Sequence, residues 1–174
     1  MKRPNRGKGF EARILQGFKK YSKEISSDRF HDPQAGYAGV RTFCDFVAYM
    51  KPYLFYLECK SITENSINFN SGITANQWLG LEEKSGCSGV ISGFIVWFID
   101  YRLTVYVSVK EMLRLRATGV KALNIKHLRN NDVAWVSIPG IQKQIYMDYD
   151  MLTGLQSIVK LYETNEKETQ NGNV

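Results

Sequence analysis

The stretch that decides the fold is Tyr53–Ser61, with the sequence YLFYLECKS, which follows Val40–Met50 across the turn signal Lys51-Pro52. Both runs are rich in apolar and aromatic residues, and a proline between two such runs is typical of a turn between strands. We therefore predict that Val40–Met50 and Tyr53–Ser61 form a β-hairpin. Because side chains alternate across a strand, Glu58 and Lys60 project together from one face of an otherwise apolar strand.

A further charged residue, Asp45, lies in the preceding run between two apolar neighbours. If the hairpin pairs the two runs, Asp45 and Glu58 converge within metal-binding distance. Two neighbouring carboxylates do not both stay ionised without a compensating charge. A hard divalent cation supplies that charge, and oxygen ligands select Mg²⁺ or Mn²⁺ rather than zinc. The alternative is a buried ion pair between Glu58 and Lys60 that only joins parts of the sheet.

Lys60 beside such a metal would hold and polarise an attacking water, or stabilise negative charge on a phosphate. The set Asp45, Glu58 and Lys60 therefore indicates metal-assisted hydrolysis of a phosphodiester, with the cation as Lewis acid and water activator. The pattern is loose when these three residues are taken alone, because carboxylates and lysine at variable spacing occur in many folds.

The rest of the chain predicts an α/β (α+β) domain with a central mixed sheet flanked by helices. Helices are predicted at Phe10–Ile25, Ile73–Leu81, Lys110–Leu115 and Tyr149–Tyr162, and further strands at Val90–Ile99, Arg102–Val109 and Val133–Ile138. Composition predicts loops at Ser26–Gly39, Ile62–Gly72 and 116–131. We divide the chain into a flexible basic arm (1–9), a folded domain (10–162) and a polar, disordered tail (163–174).

Two polar residues lie on the apolar faces of predicted helices. Glu11 falls inside the apolar stripe of the first helix, and Gln77 is aligned with Ile73 and Leu81 in the second. Polar side chains on the apolar faces of separate elements suggest that Glu11 and Gln77 form one shared site with the hairpin residues. For Gln77 the alternative is a core amide bonded to backbone. For Glu11 it is a partner for Arg13 or a charge in the helix macrodipole.

Composition narrows the class of protein. The 174 residues carry 23 Lys and Arg against 17 Asp and Glu, a net charge of +6, and the 44% hydrophobic content excludes disorder over most of the length. Three cysteines and two histidines exclude a zinc finger or ribbon. No apolar run approaches the ~20 residues of a membrane span. We expect a cytoplasmic protein with neither a membrane partner nor a small-molecule cofactor.

Positive charge is concentrated in two segments, which favours a polyanionic partner. The N-terminal segment contains Lys2, Arg3, Arg6 and Lys8, and the second contains Arg114, Arg116, Lys121, Lys126 and Arg129. Contacts of this kind to phosphates dominate non-specific DNA binding and weaken steeply with salt. The alternative for both segments is an ordinary solvated surface.

In this order, the segments Asn5–Glu11, Cys44–Phe46 and Tyr56–Ser61, followed by Gln77, resemble the RecU-type Holliday-junction resolvases of the PD-(D/E)xK nuclease superfamily. The similarity extends over residues 4–115. The resemblance implies that residues 10–162 form a nuclease domain. It also implies a Mg²⁺-dependent endonuclease, with Mn²⁺ as a substitute, that acts as a homodimer on four-way (branched) DNA junctions and nicks opposing strands symmetrically.

The resemblance also assigns roles to individual residues. Asp45 and Glu58 would be metal ligands and Lys60 the catalytic lysine. Glu11 would contribute from the first helix, and Gln77 would orient water or substrate near the metal. The basic residues of the arm, above all Arg6, would contact phosphates.

One departure from the family leaves alternatives open. Family members carry a longer segment ahead of the metal-binding aspartate, which forms a stalk that enters the junction, whereas only Ser26–Arg41 is available here. A nuclease of the same fold that acts on other DNA, of repair or restriction type, is one alternative. The other is a non-catalytic accessory protein that binds junctions in recombination.

Overall fold

A computed structural model describes residues 6–30, 42–143 and 147–171 of the chain. The helices are α1 (Arg6–Lys19), α2 (Ala75–Ser85), α3 (Val109–Ala117), α4 (Ile125–Arg129) and α5 (Met151–Asn171). The strands are β1 (Ser26–Arg29), β2 (Phe46–Met50), β3 (Tyr53–Ile62), β4 (Ser66–Asn68), β5 (Val90–Phe98), β6 (Leu103–Ser108), β7 (Ala122–Asn124), β8 (Trp135–Ser137), β9 (Gly140–Gln142) and β10 (Met147–Tyr149).

Six strands form the central sheet in the order β1-β2-β3-β5-β6-β8. Strands β3 and β5 pair in parallel, and the other neighbours in this sheet pair antiparallel. Two small antiparallel pairs, β9 with β10 and β4 with β7, accompany it. The mixed α/β sheet predicted from the sequence is therefore confirmed.

Helices cover both faces of the central sheet. One apolar core lies between the sheet and helices α1 and α5 and includes Phe10 and Phe55. The other lies against α2 and α3 and includes Trp78 and Phe94. Because side chains alternate along β3, Phe55, Leu57 and Cys59 enter the first core. Glu58 and Lys60 consequently point towards the α2 side.

The predicted hairpin is present as strands β2 and β3. Phe46 lies opposite Leu57, and Met50 lies opposite Tyr53. The first strand begins at Phe46 rather than at Val40, and residues 31–41 lie outside the described residues. The predicted strands Val90–Ile99 and Arg102–Val109 correspond closely to β5 and β6.

Three predicted loops contain regular structure. Ser26–Arg29 forms edge strand β1, the 62–72 segment contains β4, and the 116–131 segment contains β7 and α4. The prediction was wrong at these positions because such short elements carry too few residues for an apolar period. Strand β1, for example, has the sequence SSDR and is held by its pairing with β2 rather than by an apolar face.

Both ends of the predicted domain differ from the structure. Helix α1 begins at Arg6, inside the predicted arm, and ends at Lys19, where hydrogen-bonded turns replace the predicted helix up to Ile25. Helix α5 continues to Asn171 through most of the predicted tail. Contacts support this extension, since the Tyr53 hydroxyl donates to Glu163 Oε1 at 2.7 Å and Lys110 lies 4.0 Å from Glu166. No helix in the described ranges combines the length and apolar character that crossing a membrane requires.

Candidate active site

Strand β3 carries the centre of the site. Glu58 is 4% exposed and pairs across the sheet with Phe94 of β5. Two residues further on, Lys60 follows on the same face, and its Nζ lies 3.1 Å from Glu58 Oε1. The Lys60 side chain keeps 19% of its surface exposed. The period of the strand thus places a buried carboxylate and a partly accessible ammonium side by side.

Asp45 joins this pair from the residue before β2. Its backbone N–H donates to the carbonyl of Leu57 at 3.1 Å, which continues the hairpin ladder by one residue. Its Oδ2 accepts from the backbone N–H of Cys59 at 2.7 Å. The Asp45 carboxyl group lies close enough to Glu58 for its negative charge to raise the pKa of Glu58. The structure therefore brings together the two carboxylates that the sequence predicted to converge.

The protonation of this carboxyl pair follows from its surroundings. Burial, together with the negative charge of Asp45, raises the pKa of Glu58 to about 8, against a smaller opposing effect of Lys60. Burial also raises the pKa of Asp45, and the Cys59 N–H and Lys60 oppose that rise. Near neutral pH the metal-free Glu58 consequently keeps its proton.

Gln77 connects helix α2 to these residues. Its Nε2 donates to Glu58 Oε1 at 2.5 Å, and its Oε1 accepts from Lys60 Nζ at 3.1 Å. The same Oε1 accepts from the backbone N–H of Thr74 at 3.0 Å, as part of the capping box that begins α2. Gln77 thus forms a hydrogen bond with the backbone, which was the alternative considered for it from the sequence. It also fixes the positions of the Glu58 and Lys60 side chains.

Glu11 reaches the same edge of the sheet from helix α1. Its Oε2 accepts from Arg29 Nη2, and its side chain is 18% exposed. Burial and the negative charge of Asp45 raise the pKa of Glu11, while Arg29 lowers it. The Arg13 partner considered for Glu11 donates instead to Gln16 Oε1 at 2.8 Å. Sequence reasoning missed Arg29, because it placed this residue in a loop and no local pattern marks it.

The donor set determines which metal the site can accept. Among the described residues, no group of three or more His, Cys, Asp and Glu side chains forms a cluster suited to a metal. The carboxyl groups of Asp45 and Glu58 are hard oxygen donors, and a cation between them would neutralise the charge that burial and Asp45 make unfavourable on Glu58. Mg²⁺ is commonly bound through one or two carboxylates, with water and substrate phosphate as its other ligands. The pair therefore fits Mg²⁺ or Mn²⁺.

The predicted phosphate contacts are distributed unevenly. Lys2 and Arg3 lie outside the described residues, as does the side chain of Arg6, whereas Lys8 is exposed near Glu11 and acts on it electrostatically. In the second segment, exposed Lys121 precedes β7.

Two arginines of helix α3 differ in their contacts. Arg114 donates to both carboxylate oxygens of Glu111, at 3.0 and 2.8 Å, and to the carbonyl of Asp132 at 2.5 Å. Arg116 is exposed and lies over the Trp78 ring, 5.3 Å from its centroid. Arg116 is therefore exposed beside helix α2, which also carries Gln77.

Comparisons with known proteins give likenesses among solved structures. No protein-family model and no curated protein matches the chain. Among solved structures, the chain is similar to Hjc of Archaeoglobus fulgidus, a Holliday junction resolvase from an archaeal hyperthermophile. The identity is 18% and the TM-score 0.45, over 60% of this chain and 78% of that one. The chemistry of the site is the basis for the functional conclusion.

Proposed function

We propose that this protein is a Mg²⁺-dependent DNA endonuclease of the PD-(D/E)xK type that resolves four-way junctions. The observation that carries the proposal is the buried carboxyl group of Glu58, with Lys60 Nζ at 3.1 Å on the same strand and Asp45 held beside it by the backbone N–H of Cys59. Burying two carboxyl groups and an ammonium together costs folding free energy, so such a cluster indicates a functional role. Its order in the sequence, with Glu11 before it and Gln77 after it, matches the resemblance to RecU-type resolvases.

In this proposal Asp45 and Glu58 would hold the Mg²⁺, with Mn²⁺ as a substitute. When bound, the cation supplies Lewis acidity towards the scissile phosphate and lowers the pKa of a coordinated water. The raised pKa of Glu58 means that cation and proton compete for this pair. Binding therefore strengthens as the pH rises towards 8.

Lys60 supplies the positive charge of the reaction. With its Nζ fixed between Glu58 and Gln77, the ammonium donates a hydrogen bond to the attacking water or to a phosphate oxygen that gains charge in the transition state. Gln77 restricts the rotamers of both neighbours, because its amide bonds each of them and is itself anchored to the capped start of α2. This fixed geometry lowers the reorganisation needed during the reaction.

The DNA substrate and the assembly follow from the resemblance and from charge. A net charge of +6, with exposed Lys8 near Glu11 and exposed Arg116 over Trp78, suits the phosphate backbone of a branched duplex. Symmetric nicking of two opposing strands needs two active sites, which a homodimer with two-fold symmetry provides.

The test compares a labelled four-way junction with a linear duplex of the same sequence, with and without Mg²⁺, for the wild type and Asp45→Asn. We expect paired nicks in opposing strands of the junction alone, dependent on Mg²⁺ and absent in Asp45→Asn. Equal cutting of both substrates would instead identify a nuclease of repair or restriction type. Binding without cleavage in either Mg²⁺ or Mn²⁺ would identify an accessory protein.

The two α3 arginines provide a matched test of the DNA contact. Arg116→Ala is expected to weaken junction binding about 3- to 10-fold and to lower the salt slope by about one, as the loss of a phosphate contact does. Arg114→Ala should leave binding nearly unchanged and lower the free energy of unfolding by about 1 kcal/mol, because its hydrogen bonds are internal. Fluorescence anisotropy at several salt concentrations and thermal melts measure both effects. Equal loss of binding in the two variants would contradict this distinction.

A further inference from the structure

Arg29 occupies a fixed place beside the carboxyl cluster, although the proposed function assigns it no role. It is the last residue of β1 and lies opposite Phe46 in the antiparallel pair with β2. The next residue, Phe30, donates its backbone N–H to the carbonyl of Asp45 at 2.8 Å. The sheet register thus sets Arg29 opposite Phe46, the residue that follows Asp45.

The side chain of Arg29 spans from the edge strand to helix α1. Its Nη2 donates to Glu11 Oε2, and its own side chain is 22% exposed. The charge of the guanidinium lowers the pKa of both Glu11 and Asp45, against the effect of burial. Its Nε is buried and has no hydrogen-bond partner among the described residues. A buried N–H without a partner costs folding free energy, and the attraction of the guanidinium to the neighbouring carboxyl groups offsets that cost.

We propose that Arg29 is a positioning residue, which holds the Glu11 carboxylate in the site next to Asp45. This proposal rests on the proposed endonuclease function and adds to it a residue that acts through Glu11. Substrate contact through two of the three side-chain nitrogens of Arg29 is disfavoured, because Nη2 is engaged by Glu11 and Nε is inaccessible. The planar guanidinium suits a fixed bridge between two elements better than a flexible ammonium does.

A double-mutant cycle tests this role. Arg29→Met and Glu11→Gln should each lower kcat about 10- to 100-fold, the usual cost of losing a group that orients a metal site. The double variant should be no slower than the slower single variant, because Arg29 acts through Glu11. KM for the junction should stay within about twofold in each variant, since neither group binds the substrate. Lys23→Met, which removes one exposed charge of the same sign after α1, should behave as wild type.

Two further measurements separate positioning from other roles. In EDTA, the junction dissociation constant of Arg29→Met and its salt dependence should equal those of wild type. Weaker binding with a salt slope smaller by about one would overturn the proposal, because it indicates a phosphate contact. Arg29→Lys keeps the charge and should recover part of the lost kcat. If circular dichroism shows that Arg29→Met does not fold, Arg29→Lys takes its place in the kinetic and binding measurements.

The cycle also distinguishes the failure of this inference from that of the proposed function. If wild type cleaves the junction and the two single effects multiply in the double variant, Arg29 does not act through Glu11 and the inference is wrong. If wild type does not cleave in Mg²⁺ or Mn²⁺, the proposed function fails and the inference fails with it.

Discussion

Replacing Glu58 by glutamine is expected to abolish Mg²⁺-dependent cleavage of a four-way junction and, at the same time, to stabilise the metal-free protein above neutral pH. The amide keeps the shape of the side chain and still accepts the hydrogen bond of Gln77, but it removes the anionic oxygen proposed to bind the metal. The loss of rate should exceed about 100-fold, which is the upper end of what losing a group that only supports a ligand costs. Single-turnover cleavage at saturating Mg²⁺ measures this loss.

The gain in stability follows from the raised pKa of Glu58. Burial moves this pKa from the ordinary 4.5 to about 8. The folded state therefore holds the proton more tightly than the unfolded chain, and the stability present below pH 4.5 is lost as the pH rises to 8. One unit of pKa corresponds to about 1.4 kcal/mol, and 1 kcal/mol shifts Tm by about 2–4 °C at this chain length.

In EDTA, we therefore expect the Tm of Glu58→Gln to equal that of wild type near pH 4.5. At pH 8.5 it should be at least about 5 °C higher than the wild-type Tm. Thermal melts across this pH range measure the difference. Glu83→Gln is the matched control, because the Glu83 side chain is 74% exposed and pairs with Lys84 on the outside of α2. It should change neither the cleavage rate nor the pH dependence. A Glu58→Gln protein less stable than wild type at pH 8.5 would contradict the pKa argument.

Replacing Lys60 by methionine is expected to lower kcat by about 10²- to 10⁴-fold, the range associated with a positioned group that donates or accepts a proton. Methionine fills a similar volume, so the loss would come from the ammonium, whose Nζ lies 3.1 Å from both Glu58 Oε1 and Gln77 Oε1. Junction affinity in EDTA should stay within about threefold, because a single charge contributes little to a multi-contact phosphate interface. Single-turnover kinetics and anisotropy measure the two quantities separately.

Lys60→Arg sharpens this test. Its guanidinium keeps the charge but is planar and larger, so it should not restore the rate in a site whose other groups are fixed. Lys84→Met removes an ammonium that also pairs with a carboxylate, Glu83, but lies elsewhere on α2. This control should leave kcat unchanged. A Lys60→Met protein that cleaves at the wild-type rate would show that the reaction does not need the Lys60 ammonium group.

Much of the centre of the site is local in the sequence. The alternation that puts Glu58 and Lys60 on one face of β3 is a property of any strand, and the turn at Lys51-Pro52 sets which residues of β2 and β3 meet. The position of Gln77 is also local, because Thr74 caps the start of helix α2 and Gln77 is the third helical residue in that capping box. These features depend on neighbours in the chain, so they were predictable.

The outer part of the site is not local. Glu11 and Arg29 lie on opposite sides of a turn and meet only because α1 packs on the sheet while β1 adds to its edge beside β2. The sequence of β1 has no apolar alternation, since an edge strand with exposed side chains satisfies its backbone through its neighbour. Pattern reasoning therefore missed Arg29 and could not choose a partner for Glu11.

By itself, then, the sequence determined the mixed α/β class, the hairpin and the shared face of Glu58 and Lys60, because period and turn chemistry act between near neighbours. Only the tertiary structure decided that Asp45 accepts the backbone N–H of Cys59 beside Glu58, that Arg29 binds Glu11, and that burial raises the pKa of Glu58. Burial and charge proximity depend on where distant segments pack, and no local pattern specifies that.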